Sequence, residues 1–257
     1  MAAAPVTDAH GEPAAHAPGP SAPPVAGLLL AAGGGRRLGG RPKALLTHRG
    51  RPLVEHAARA LREGGCAPVH VVLGAAEREV RDLAERAGPP GQPGPAGLPA
   101  PTGPPGPPEL AGLAELVGCV LVGNPRWQEG MGTSLRAGLD SLAGTGAAAA
   151  LVLLVDQPGI GAAAVARMVA AYRDPRSLAT ASYEGRRGHP VLLGSEHWAG
   201  VAADARGDRG ARVYLKAHGS EIVAVECGDV ASAYDIDTEE DLWRLAPAPE
   251  PPSSTNH

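Results

Sequence analysis

Apolar runs and amphipathic stretches alternate along most of this chain. Val25–Ala31 is continuously apolar or small, the pattern of a strand covered on both faces. Pro52–Glu63 follows, with Leu53, Val54, Ala57 and Leu61 on one helical face and a proline suited to the first turn. The same alternation predicts strands at Val69–Leu73, Val117–Val122 and Ala148–Val155, and helices at Ala75–Ala87, Thr133–Leu142 and Ala162–Arg173. Strands that alternate with helices in this way predict a mostly parallel sheet with helices on both faces. Leu178–Tyr183, Val191–Leu193, Asp208–Lys216, Glu221–Val225 and Thr238–Leu245 are more mixed, and predict a small antiparallel element and closing helices.

The pattern lapses in three places. Residues 1–24, rich in Ala, Pro and Gly, and residues 246–257 read as disordered tails, so His10, His16 and His257 are solvated there. Between Gly88 and Gly106 glycine recurs at every third position, with Ala100 filling one gap and proline at most intervening positions. Residues 88–108 therefore read as a flexible polyproline-rich insertion within a domain spanning 25–245, in preference to a trimerising collagen-like segment.

Composition narrows the class. The 257 residues suffice for one α/β domain of about 200 residues with appendages. A net charge of −4 argues against a general nucleic-acid surface. Cys66, Cys119 and Cys227 are far apart with no Cys-x-x-Cys pair, which predicts reduced thiols in a cytoplasmic protein and neither a disulfide framework nor a zinc site. No run approaches the ~18 apolar residues of a membrane span, and the first residues lack a secretory signal's basic and apolar regions.

The candidate chemistry begins where the first strand ends, at Leu30-Ala31-Ala32-Gly33-Gly34-Gly35-Arg36-Arg37-Leu38-Gly39-Gly40-Arg41-Pro42-Lys43. Glycines let backbone N–H groups close around an anion, and Arg37 and Lys43 neutralise it, so the loop reads as a polyphosphate cradle. It is not a Walker loop: after Gly35 and Gly40 come Arg41 and Pro42 instead of Lys and a hydroxyl residue. It is not a dinucleotide fingerprint either, because Leu38 stands where the third glycine belongs.

Ligands of an open parallel sheet bind beyond the carboxyl ends of its strands. There the chain offers Asp156 directly after the apolar run Leu151–Val155, either as a hard-oxygen ligand for Mg²⁺ or as a turn residue. It offers Asp235 and Asp237 before Thr238, where Thr238 and Asp241 fit a capping box and the helix dipole also favours acids. Asn124 to Leu135 form a loop that enters a helix, whose free N–H groups suit a polar or anionic ligand. Gly185–Val191 and Gly207–Arg212 are arginine-rich and suit a phosphorylated acceptor.

Taken in order, these segments resemble the MobA-like nucleotidyltransferases, in particular their molybdenum cofactor cytidylyltransferase (MocA-like) branch. The matches are Leu-Ala-Ala-Gly…Arg-Leu-Gly…Pro-Lys, Asn124…Trp127…Gly130-Met131…Ser134-Leu135, Asp156-Gln157-Pro158, Gly188-His189-Pro190-Val191 and Gly207-Asp208…Gly210-Ala211-Arg212. The resemblance implies a GT-A/Rossmann-like fold and a reaction in which an acceptor phosphate attacks the α-phosphorus of a nucleoside triphosphate. It implies Lys43 and Arg37 as catalytic cations and Asp156 and Asp237 as Mg²⁺ ligands. It further implies Leu30, Ala31, Ala32, Gly33, Gly34, Gly35, Asn124 and Ser134 at the nucleotide, and Arg187, His189 and Arg212 as candidates for the acceptor. Leu-Ala-Ala-Gly favours CTP, and the acceptor would be molybdopterin, with a molybdoenzyme or its chaperone as a further partner; the protein is expected to act as a monomer. Two departures stand out: one residue more than the usual pattern between Leu38 and Lys43, and Gly35 where serine is commoner. Some relatives resembling this branch are named oxidoreductases of a nicotine-derived blue pigment. A non-catalytic cofactor-binding chaperone and a sugar-phosphate nucleotidyltransferase are the other readings that the residues leave open.

Overall fold

A computed structural model of the chain describes residues 25–87 and 113–245. The expected tails and the proline-rich insertion lie outside these residues. Strand β1 (Val25–Ala31) opens the domain, and a short hairpin of β2 (Thr47–His48) and β3 (Arg51–Pro52) leads into helix α1 (Leu53–Glu63). Strand β4 (Val69–Leu73), helix α2 (Glu77–Ala87), strand β5 (Val120–Gly123), helix α3 (Met131–Ser141), strand β6 (Ala149–Leu154) and helix α4 (Ala162–Val169) follow. The chain then forms β7 (Leu178–Tyr183), β8 (Arg186–Gly194), α5 (Trp198–Asp204), α6 (Arg212–Ala217) and β9 (Val223–Glu226).

The main sheet has the order β5-β4-β1-β6-β8-β7-β9. β5, β4, β1 and β6 pair in parallel, β8 runs antiparallel to both β6 and β7, and β9 returns parallel to β7. The expected antiparallel element is therefore a strand set into the main sheet, together with the small β2–β3 hairpin. Every residue of β1 is buried because both faces of the sheet are covered. Leu29 and Ala31 pack with Leu53, Leu61, Val165 and Met168 of α1 and α4. Leu28 and Leu30, one step out of phase, pack with Leu135 and Leu139 of α3 on the opposite face.

Successive connections from β1 run first toward β4 and β5, then cross to β6 on the other side of β1. The chain segments leaving β1 and β6 thus part company, and this switch point leaves a crevice beyond their carboxyl ends.

Several expected boundaries moved, three of them with a plain local cause. The strand expected at Val117–Val122 starts at Val120, because Ala114–Leu116 form a short 3₁₀ turn and Gly118 reverses the backbone at φ +86°. The helix expected to reach Arg173 ends at Val169, where Ala170, Ala171 and Tyr172 donate to carbonyls in a closing turn. The helix expected from Thr238 is a 3₁₀ segment, Glu239–Leu245. Its start is fixed by Asp241, whose carboxylate accepts from the N–H groups of Asp237 and Thr238 and from the Thr238 hydroxyl. Cys66, Cys119 and Cys227 are free thiols, and burial pushes Cys66 up to about 12.

Candidate active site

The glycine loop leaves β1 and turns back at Gly35, whose carbonyl accepts from the N–H groups of Leu38 and Gly40. Gly35 is left-handed at φ +60°, and a Cβ there would stand 1.9 Å from the Arg41 carbonyl oxygen. Serine, commoner in the resembled pattern, is thereby excluded in this backbone. Gly39 and Gly40, also at positive φ, absorb the extra residue before Lys43. Lys43 then begins a 3₁₀ turn behind Pro42 and points back to the sheet.

The result is an ion-pair cluster. Lys43 Nζ donates to Asp156 Oδ2 at 2.7 Å and to Asp237 Oδ1 at 2.9 Å. Arg37 donates to the other oxygen of Asp237 at 2.5 Å. Asp156 stands just beyond β6, and its own carbonyl accepts from Ile236 N–H, which clips the Asp235–Asp237 segment to the end of β6. Gln157 donates from Nε2 to Asp235 Oδ1 at 2.8 Å, so Asp235 braces this clip and makes no contact with Lys43.

Charge and burial differ across the cluster. The Lys43 side chain is 14% exposed and that of Arg37 75%, so Lys43 is enclosed by its surroundings while Arg37 reaches Asp237 from the solvent side. Burial pulls the Lys43 ammonium down, but Asp156 and Asp237 outweigh it and hold the group above its usual pKa. Burial pushes the Asp156 carboxyl up, with Lys43 opposing. The hydrogen bond from Lys43, reinforced by Arg37, holds Asp237 below the usual carboxylate range.

Two cavities meet here. The first, about 520 Å³, is lined by Leu30, Ala32, Gly33, Gly34 and Ser134, by Arg36, Arg37 and Lys43, and by Asp156 and Asp237. Trp127 forms one wall; its ring would lie 2.9 Å from a Cβ at Gly34, so the glycine and the indole are fitted to each other. Ala31 is turned into the core on the other face of the sheet, and Gly35 shapes the loop without lining the cavity. Asn124 is buried behind the wall. Its Nδ2 donates to the Thr133 and Ser134 hydroxyls and its Oδ1 accepts from Arg126 N–H, so it fixes the start of α3 and does not line the cavity.

The second cavity, about 480 Å³, lies between α3, α6, β7 and β8. Its body is apolar, with Leu135, Val152, Val191, Leu193 and Leu215, and its rim carries Arg187, Arg209, Arg212 and Lys216. His189 is half-buried in its wall; burial pushes the imidazole down to about 4, with Asp235 opposing and Arg212 assisting. Leu30, Met131 and Asp208 border both cavities. The turn carrying Asp208 can press this close because Gly130, at φ +108°, has no Cβ, which would stand 2.4 Å from Gly207.

Two neighbouring cavities are thus joined at a switch point, one lined by the glycine loop and the ion-pair cluster, the other apolar with a cationic rim. A family model described as the MobA-like NTP transferase domain matches residues 27–222. The chain belongs to the MobA-like NTP transferase domain family. Within reach of it is a protein of Paenarthrobacter nicotinovorans named nicotine blue oxidoreductase, 36% identical over 230 residues that cover 87% of this chain and 97% of that one. The solved structure of a homologue of Mycobacterium tuberculosis Rv0371c, from Mycobacterium sp. strain JC1, is 26% identical with a TM-score of 0.62, over 86% of this chain and 94% of that one. Rv0371c of M. tuberculosis itself, solved in complex with manganese, shares the fold at 22% identity and a TM-score of 0.58, over 88% of this chain and 98% of that one.

Arg36, Trp127 and Asp208 line the cavities although they were not among the expected site residues. The Arg36-Arg37 pair and the Gly207-Asp208 turn were the available signals. That both adjacent arginines border the cavity follows from the turn at the left-handed Gly35, which no periodicity reveals. Among the described residues no helix is long and apolar enough to cross a membrane.

Proposed function

We propose that this chain transfers a nucleoside monophosphate from a nucleoside triphosphate, CTP by preference, to a phosphorylated acceptor of the molybdopterin type. The observation that carries this reading is Lys43 held between Asp156 and Asp237 beside the glycine loop. An acceptor phosphate oxygen forms a bond to the α-phosphorus, the bond from that phosphorus to the bridging oxygen breaks, and pyrophosphate leaves. A phosphate nucleophile is already ionised near neutral pH, so no general base is required. The work is positioning and charge neutralisation. Lys43, Arg37 and the loop amides face the triphosphate; the apolar cavity takes the body of the acceptor, and Arg187 and Arg212 hold its anionic end.

Asp156 and Asp237 would hold Mg²⁺. Their hard oxygens converge on a single cation, here the Lys43 ammonium, which is the donor chemistry that ion requires. The manganese complex of a protein of the same fold is in keeping with this. A bound Mg²⁺ supplies charge stabilisation at the phosphates.

A second reading, reduction of a pigment, is favoured by the name of the Paenarthrobacter relative. Incubation with Mg²⁺, each of the nucleoside triphosphates and molybdopterin separates the two. Pyrophosphate release with CTP, lost in Asp156→Asn and Lys43→Ala, supports transfer. No release with any triphosphate, together with NAD(P)H oxidation in the presence of a dye, supports the second reading and overturns the first.

A further inference from the structure

The cluster around Lys43 is electrically closed. Asp156 and Asp237 supply two negative charges, Lys43 and Arg37 two positive ones, and each cation is already hydrogen-bonded to an aspartate. We propose that Lys43 plugs the divalent-metal position in the free protein, so that the metal enters only together with a triphosphate. This inference rests on the nucleotidyl-transfer reading of the site.

Three observations carry it. The first is position. Lys43 Nζ lies 2.7 and 2.9 Å from one oxygen of each aspartate. A Mg²⁺ held by Asp156 and Asp237 would draw on the same carboxylates. Ammonium and metal therefore compete for the same two carboxylates.

The second is charge. Lys43 is largely enclosed and ion-paired to both aspartates, so a metal approaching the closed cluster meets a cation already in place. Among the described residues no group of three or more His, Cys, Asp or Glu side chains could bind a metal without further ligands. Two carboxylates leave the rest of the shell to water or to phosphate oxygens, and phosphate oxygens bind the more tightly.

The third is the exit. Lys43 sits at the end of a flexible four-carbon stem and lines the same cavity as Gly33, Gly34, Arg36 and Arg37. A triphosphate in that cavity offers Lys43 and Arg37 a stronger anionic partner. Their departure uncovers both carboxylates at the moment phosphate ligands arrive. One residue thus serves two stations, plug in the free protein and phosphate clamp in the loaded one.

The test is Mn²⁺ binding, read from the paramagnetic resonance signal of the free ion, with circular dichroism as the check on folding. Wild type, Lys43→Met and Lys43→Met/Asp156→Asn are compared with and without a CTP analogue carrying a non-cleavable α,β-methylene bridge. Wild type alone should bind Mn²⁺ weakly, and roughly tenfold or more tighter with the analogue. Lys43→Met alone should gain roughly tenfold or more over wild type alone, and the added Asp156→Asn should abolish the gain. Lys43→Gln replaces the methionine variant if that variant misfolds. Equal affinity of wild type and Lys43→Met without nucleotide, with tight binding once the analogue is added, overturns the plug and leaves the transfer reading standing. No Mn²⁺ binding in either protein with the analogue present overturns the assignment of the aspartates to metal, and the plug with it.

Discussion

The two cavities beside Leu30 treat charge in opposite ways. In the cleft beyond β1 and β6 two of the three lining cations are paired within the protein, Lys43 with both aspartates and Arg37 with Asp237. Around the apolar cavity, Arg187, Arg209, Arg212 and Lys216 make no salt bridge among the described residues. Paired charges cost little while the ligand is absent and must change partners when it arrives. Unpaired rim charges wait in water and need only be covered. The first arrangement suits a step in which charge develops and moves; the second suits holding an anion in place.

That contrast can be broken most sharply at the paired charges. Lys43→Ala and Asp156→Asn should each lower kcat for pyrophosphate release by roughly 10²–10³ with the circular dichroism spectrum retained. A drop confined to the KM for nucleotide would mean that the cluster binds the triphosphate without acting on the transition state. Gly35→Ala attacks the loop that delivers Lys43. The new methyl meets the Arg41 carbonyl, and the expected loss is about 1–3 kcal/mol in urea unfolding, together with weaker nucleotide binding.

On the unpaired side, Arg212→Ala should raise the KM for the acceptor by roughly tenfold and leave that for CTP unchanged. An equal change in both would erase the division of labour between the cavities. The smallest expected effect concerns His189. Its pKa of about 4 lies below the ordinary value near 6.5, so between these the unfolded chain takes up a proton that the folded one refuses. Its contribution to stability is therefore present above about pH 6.5 and lost as the pH falls toward 4, and His189→Asn should flatten that slope in urea titrations. The imidazole proton shifts should place the His189 transition well below those of exposed histidines.

Legibility in the sequence followed how local each cause was. β1 and β4 lie where the apolar runs put them, because strands covered on both faces need only continuous hydrophobicity. Asp156 and Asp237 could be proposed from sequence because each directly follows or precedes an element whose end faces the crevice. Asn124 could not be placed, since whether an amide faces ligand or protein depends on Thr133 and Ser134 meeting it across a turn. The pairing of Lys43 with both aspartates was equally hidden. It joins residues 113 and 194 positions apart, and only the sheet order brings them together. The extra residue before Lys43 looked like a defect in the pattern; in the fold Gly39 and Gly40 take it up without displacing the lysine from the aspartates.

Fate of the α-phosphorus is the most direct test of nucleotidyl transfer. CTP labelled at the α-position should pass its label to the molybdopterin acceptor in the presence of Mg²⁺, while label at the β- or γ-position leaves as pyrophosphate. Label that remains with CTP while NAD(P)H is consumed in the presence of a dye would contradict the account.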